Sequence, residues 1–225
     1  MSQANPSLCT VCNHHPAFYR REYEGVTLCK SCFKASVERK VRRTISHWKM
    51  FTPHDHIAVA VSGGKDSLAL LMILKKLTAR FPRTRLTAVT VDEGIAGYRE
   101  EAVEIASDYC RQLGVDHEVV SFKDIYGYGL DEFLRQKRER MTACSYCGVF
   151  RRKAINLGAK KVSATKIATA HNLDDVLQTY LLNLLQGDVA RFVRFSPLLQ
   201  DPRGQFLTRV KPLCEIPERE IVLYG

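Results

Sequence analysis

The sequence is first informative for what it lacks. It opens MSQANPSLC, without the basic stretch and apolar run of a secretory signal, so a cytoplasmic protein is expected. Its longest apolar run, Leu68 to Leu74, falls far short of the roughly 20 residues that a membrane-spanning helix needs. Internal repeats and low-complexity stretches are absent, which argues against solenoids and tails. Neither the four-residue spacer of a Walker A loop nor the three-glycine dinucleotide fingerprint occurs.

What remains is a globular chain with two unusual features. The 225 residues are 45% hydrophobic and 26% charged, enough apolar material for one domain plus a small module and too much for disorder. There are eight cysteines, and 34 Lys+Arg stand against 24 Asp+Glu for a net charge of +10. In a reducing compartment, clustered cysteines hold metals or do chemistry more often than they pair. Residues 1–54 carry nine Lys/Arg and three Glu, which is +6 of that charge. Lys34, Arg39, Lys40, Arg42, Arg43 and Lys49 crowd one stretch; Arg135, Lys137, Arg138 and Arg140 form another, followed by Arg151, Arg152 and Lys153. Solvated helix faces would account for any one run. Several runs flanking cysteine motifs point to a nucleic-acid backbone.

Cys9-Thr-Val-Cys12 and Cys29-Lys-Ser-Cys32 are two Cys-x2-Cys knuckles 16 residues apart. The intervening YRREYEGVTL reads as a hairpin that brings four thiolates onto one tetrahedral Zn²⁺, a staple for a segment too small to have its own core. His14 and His15 are further possible ligands, but four cysteines already close the site. A basic helix is expected over Phe33–Met50. From His56 strands and helices alternate: strands at His56–Val61, Leu86–Val91, His117–Phe122 and Lys166–Ala170, helices at Asp66–Arg80, Tyr98–Leu113, around Cys147–Leu157 and at Leu173–Leu185. Leu70, Ile73, Leu74 and Leu77 should face inward on one helix, and Ala102, Ile105, Ala106 and Tyr109 on the next. Such alternation implies an α/β domain with a parallel, Rossmann-like sheet covered on both faces, which binds ligands at the carboxyl ends of its strands.

The first strand runs straight into Ser62-Gly63-Gly64-Lys65-Asp66-Ser67 at the start of a helix. Two glycines permit a tight turn, and the helix N-terminus and the Lys65 ammonium offer positive potential to a pyrophosphate. Asp174 and Asp175, after the strand ending at Ala170, are placed to hold Mg²⁺ against phosphates or to cap the following helix. Cys144 and Cys147 lie on one face of a helix beside Arg151 and Arg152, which favour thiolates. Cys214 is a third candidate. Three thiolates suit an iron–sulfur cluster with one iron open; a second zinc or a catalytic dithiol carrying persulfide are the alternatives. Cys110 sits on an apolar helix face and reads as core.

Ser62–Ser67 resembles the PP-loop of the ATP pyrophosphatases. Val91-Asp92-Glu93-Gly94-Ile95, Cys144-Ser145-Tyr146-Cys147-Gly148 and His171-Asn172-Leu173-Asp174-Asp175 follow in the order of the tRNA 2-thiouridine synthetases, and the N-terminal knuckles match that group too. The resemblance implies an ATP-dependent tRNA sulfurtransferase with a small N-terminal zinc finger (1–33), a basic connecting helix (34–54) and a PP-loop catalytic domain (55–225). It further implies a [4Fe-4S] cluster on Cys144, Cys147 and Cys214. ATP would be received by the backbone around Ala60, Val61, Val91 and Ala170 and by the loop Ser62, Gly63, Gly64, Lys65, Asp66 and Ser67. Lys65, Arg151 and Asp175 join Cys144 and Cys147 as catalytic residues. The family often has Gly where this chain has Ala170, and usually carries a second pair of Cys-x2-Cys motifs near a longer C-terminus, so a truncated chain is expected. Implied partners are tRNA, modified at a wobble or T-loop uridine, a ubiquitin-like carrier with a C-terminal thiocarboxylate, and a second copy in a homodimer.

Overall fold

A computed structural model describes residues 8–95, 97, 99–136, 143–187 and 196–225, without the side chains of 136 and 143–145. Strands β1 (Tyr19–Arg21) and β2 (Val26–Leu28) form an antiparallel hairpin closed by a 3-10 turn, Glu22–Glu24, and by Gly25 at φ +67°. Helix α1 (Lys30–His47) follows at once. A boundary at 33/34 therefore falls inside one continuous helix.

Six strands then form a single sheet in the order β5-β4-β3-β6-β8-β7. They are β3 (His56–Ala60), β4 (Arg85–Asp92), β5 (Asp116–Ser121), β6 (Lys166–Ala168), β7 (Leu198–Leu199) and β8 (Thr208–Val210). All pairings are parallel except that of the edge strand β7 with β8. The central strands read as apolar runs because helices cover both faces. Ile57 and Val59 point toward α2 (Lys65–Thr78), whereas Ala58 packs with Ile167 and Ala159 of α6 (Ala143–Lys161) on the other side. Helix α6 sits close because Gly158 has no side chain: a Cβ there would lie 2.6 Å from a Val120 methyl and 2.8 Å from one of Val89.

The remaining helices are α3 (Arg99–Leu113), α4 (Phe122–Tyr126), α5 (Leu130–Gln136), α7 (Leu173–Leu185) and α8 (Glu218–Tyr224). The alternation expected from sequence is observed, with no end shifted by more than four residues. One face was misjudged. On α3 the buried stripe is Arg99, Ala106 and Cys110, and Ile105 is 42% exposed. The helix is rotated so that Arg99 reaches the sheet, which turns Ile105 toward solvent. Cys110 is core, its thiol pushed up to about 11 by burial.

The hairpin and α1 share their core with the sheet domain. Phe33, Val37 and Val41 form a stripe at four-residue spacing that merges with Leu70, Ile73 and Leu74 of α2 and Ile221 and Tyr224 of α8. Each such side chain contributes about 1.5–3 kcal/mol on burial. Among them lies a buried ion pair joining β1 to α8, across 199 residues of sequence. Arg21 donates from Nε and Nη2 to both Glu220 oxygens at 2.8 and 2.7 Å, and Tyr23 donates to Oε1 at 2.5 Å. The other guanidinium bonds go to Glu24 (3.0 Å) and Ser36 (2.9 Å).

Removing one partner strands a charge in the core. Arg21→Ala is expected to lose about 3–5 kcal/mol in urea unfolding, and the apolar pair Arg21→Met with Glu220→Leu to recover most of it. A single-variant loss below about 1 kcal/mol would show that water reaches Glu220.

Candidate functional site

The loop Ser62–Ser67 joins β3 to α2 at the carboxyl edge of the sheet. Gly63 has φ +82°, and a Cβ there would meet the Ala102 carbonyl oxygen of α3 at 2.4 Å. Only glycine fits both constraints. The turn is held internally: Ser62 N–H donates to Ser67 Oγ at 3.1 Å, and Ser67 Oγ donates to the Gly64 carbonyl at 2.8 Å. The first-turn N–H groups of Lys65 and Asp66 have no acceptor within their helix, so the turn offers fixed donors to an anion. Lys65 Nζ stands at the mouth, 2.7 Å from Glu218 and 3.3 Å from Asp66.

Strand β4 ends beside this loop. Arg99 donates to the Val91 carbonyl from Nε (3.1 Å) and to the Ser62 carbonyl from Nη1 (3.2 Å), tying the two strand ends together. It is also paired with Glu93, whose other oxygen accepts from Arg151 Nε at 2.5 Å. Glu93 is thus a fully buried carboxylate between two arginines. Arg151 in turn donates from Nη2 to Cys147 Sγ at 3.4 Å. Glu93 and Arg99 were not singled out from sequence, although Glu93 lies within the Val91–Ile95 motif. The missing signal was tertiary, since Arg151 lies 58 residues away.

The two aspartates do structural work with one oxygen each. Asn172 caps α7, and Asp175 Oδ2 accepts from the Asn172 N–H at 3.0 Å in a capping box. Asp174 Oδ2 accepts from the Glu218 N–H at 2.6 Å, capping α8. Neither Oδ1 has a hydrogen-bond partner among the described residues. Asp66 adds an orphaned buried oxygen, its Oδ1. Burial raises the Asp66 carboxyl above the usual range, with Lys65 lowering it and Glu218 and Asp175 raising it. Carboxylate oxygens of this kind suit a hard cation like Mg²⁺, but among the described residues only the N-terminal cysteines bring three or more ligand atoms within 4.8 Å of one another.

Of the second cysteine set, Cys147 lies in the first half of α6 and Cys214 in the turn after β8; both are buried. Burial pushes the Cys214 thiol up to about 11, with Glu215 raising it and Lys211 opposing. The Cys144 side chain lies outside the described residues, as do Lys137, Arg138 and Arg140. Buried thiols, that of Cys147 partnered by the Arg151 guanidinium, are donors of the type that hold an iron–sulfur group.

In the N-terminal module the Sγ atoms of Cys9, Cys12, Cys29 and Cys32 lie within 4.8 Å of one another, and Cys12 and Cys29 are 3.9 Å apart. A tetrahedron with Zn–S bonds near 2.3 Å has edges of about 3.8 Å, so the four thiols fit a closed zinc site. His15 Nδ1 lies 3.7 Å from Cys12 Sγ, outside that quartet. Burial raises the Cys9 thiol, but backbone bonds from Cys12, Cys29 and Val11 hold it down at about 6.

A glycine turn closing the first strand of a parallel sheet onto a helix, with the other strand ends gathered beside it, defines the PP-loop class of α/β proteins. The family model for the PP-loop domain matches residues 33–224. Cytoplasmic tRNA 2-thiolation protein 1 of Chlamydomonas reinhardtii is 41% identical over 98% of this chain and 61% of its own length. The tRNA 2-thiolation protein NcsA of Haloferax volcanii is 38% identical over 96% of this chain and 71% of its own. Among solved structures, the U34-tRNA thiolase NcsA from Methanococcus maripaludis with its [4Fe-4S] cluster superposes with a TM-score of 0.85 at 36% identity, over 96% of this chain and 71% of that one. The chain belongs to the PP-loop family and, within it, to the group of the tRNA 2-thiolation proteins. It spans about three fifths of the length of the first curated relatives it matches.

The loop geometry has a direct test. Gly63→Ala is expected to lower stability by about 1–3 kcal/mol, because it combines a left-handed φ with a backbone collision. Gly64→Ala, with only Ser62 Oγ at 3.5 Å from the added methyl, should cost under about 1 kcal/mol in the same denaturation assay.

Proposed function

We propose that this chain is the catalytic part of an ATP-dependent tRNA sulfurtransferase that converts a uridine to 2-thiouridine. One observation carries the reading: Arg151 links the Cys147 thiol to Glu93, and Arg99 links Glu93 to the phosphate loop, so sulfur and nucleotide chemistry share one edge of the sheet. Likeness to a U34 thiolase favours the wobble uridine over the T-loop one.

In this reading ATP lies across the carboxyl ends of β3, β4 and β6, near Ala60, Val61, Val91 and Ala170. The uridine C2 oxygen takes the adenylyl group and pyrophosphate leaves. The N–H groups of Lys65 and Asp66, together with the Lys65 ammonium, stabilise the charge that builds on the departing phosphates. Asp66, Asp174 and Asp175 would be the residues to hold Mg²⁺, which would supply further positive charge there. Lys65 must exchange Glu218 for phosphate as the nucleotide enters. When bound by Cys144, Cys147 and Cys214, a [4Fe-4S] cluster supplies an iron with an open coordination position for sulfide. Arg151 holds the Cys147 sulfur through its Nη2 hydrogen bond. Sulfur replaces the C2 oxygen, which departs with AMP, and adenylation is what makes that oxygen a competent leaving group.

Zn²⁺ on Cys9, Cys12, Cys29 and Cys32 would staple the hairpin to the start of α1, and the basic residues of α1 and the segment after it, as far as residue 54, would hold tRNA by its phosphates. A ubiquitin-like thiocarboxylate carrier is the proposed sulfur source. Exposed Leu181, Leu182 and Leu185 on α7 support a homodimer, since a second copy would cover them. Among the described residues no helix is long and apolar enough to cross a membrane, which accords with action in the cytoplasm.

Anaerobically reconstituted protein should release AMP and pyrophosphate only with tRNA present, and 2-thiouridine should appear by mass spectrometry. Cys144→Ala or Cys147→Ala should abolish thiolation and spare ATP binding. Full activity in an iron-free preparation would overturn the cluster in favour of a dithiol, and tRNA-independent turnover would overturn the substrate. Metal analysis should find one zinc per chain, lost in Cys9→Ser.

A further inference from the structure

Helix α6 lays one stripe of side chains, Arg152, Asn156 and Lys160, along the β8 side of the sheet. The last two are committed to the chain leading into β8. Asn156 Oδ1 accepts from the Leu207 N–H at 2.8 Å, its Nδ2 donates to the Gln205 carbonyl at 3.3 Å, and Lys160 Nζ donates to that carbonyl at 2.8 Å. Arg209, two residues beyond Leu207, lies on the same face of the strand, in register with Ile167 and Leu199. Ile167 and Leu207 pack against α6 from that face. Arg152, one turn from Asn156 toward the carboxyl edge, therefore approaches Arg209 across the α6–β8 seam.

The two are close enough for the charge of Arg152 to act on Arg209. Neither has a hydrogen bond or ion pair among the described residues. Arg209 is half-buried; burial lowers its affinity for the proton, and the Arg152 charge lowers it further. The other deeply placed arginines are neutralised, Arg21 by Glu220 and Arg99 by Glu93. A half-buried, unpaired Arg209 with the like charge of exposed Arg152 beside it is costly. It is retained at little cost only where an outside anion completes it. Lys211, the next residue on this face, adds a third positive charge toward Cys214 and Asp175.

We infer that Arg152, Arg209 and Lys211 form a phosphate site for the RNA backbone, gripping a phosphodiester next to the uridine presented at the strand edge. The planar forks of two arginines match phosphate oxygens. The nucleotide's own phosphates are provided for elsewhere, at the loop opening α2 on the opposite face of the sheet and two strands away. This inference rests on the tRNA-thiolation reading.

The test is tRNA binding by fluorescence anisotropy over a range of KCl, with ATP binding and thermal unfolding measured on the same proteins. Arg152→Gln combined with Arg209→Leu should weaken tRNA binding about tenfold near 0.1 M salt and flatten the slope of log K against log salt by about one. ATP affinity should stay within twofold, and the melting temperature without ligand should hold or rise, because a like-charge contact is gone. Arg209→Lys, which keeps the charge and the fold but loses the fork, should fall between. Unchanged tRNA affinity and slope would overturn the site, as would a loss of ATP affinity in place of tRNA affinity. Failure of the unaltered protein to bind tRNA would instead overturn the thiolation reading and this site with it.

Discussion

The contact between Arg21 and Glu220 holds the beginning of this chain to its end. A buried ion pair repays its desolvation only when nearly every donor and acceptor is used, and here Glu220 receives three hydrogen bonds while Arg21 shares its remaining N–H groups with Glu24 and Ser36. Apolar side chains of similar volume would pack as well but would not dictate one orientation. The pair therefore acts chiefly as a register device. It sets the cysteine hairpin against α8, and α8 begins with Glu218, which meets both Lys65 and the Asp174 cap.

From that fixed point the carboxyl edge is assembled by shared carboxylates. Glu93 joins α3 to α6 through Arg99 and Arg151; Asp174 joins α7 to α8; Asp175 closes the start of α7. The residues that would handle substrate are thus the ones that hold the edge together. Substitutions at Glu93 or Asp174 will disturb both structure and chemistry, whereas the cysteines and Lys65 separate the two more cleanly. Positive charge follows the same logic: Arg21 and Arg99, deep in the fold, are paired, whereas Arg152 and Arg209 at the α6–β8 seam have no ion pair among the described residues.

Much of this was legible in the sequence. The strands of a two-sided sheet are apolar runs, the glycine turn carries its own steric reason, and paired knuckles at fixed spacing converge through a hairpin that local turn chemistry can make. What the sequence left open or misjudged shares a cause. Ile105 was assigned inward by periodicity alone, and periodicity cannot see that Arg99 turns α3 to reach the Val91 and Ser62 carbonyls. Asp174 and Asp175 were weighed between metal and cap, and only the docking of α8 beside α7 divides the caps between them.

The sequence by itself determined the class of fold, the phosphate loop and the cysteine quartet, because each depends on residues close together in the chain or on a repeating pattern. Tertiary structure decided what pairs with what: Arg21 with Glu220, Glu93 with two arginines, and Arg209 near Arg152 with no ion-pair partner among the described residues. Such pairings join residues dozens to hundreds of positions apart, and burial makes them matter, since a charge that water would screen at the surface must find its partner, or await one, inside.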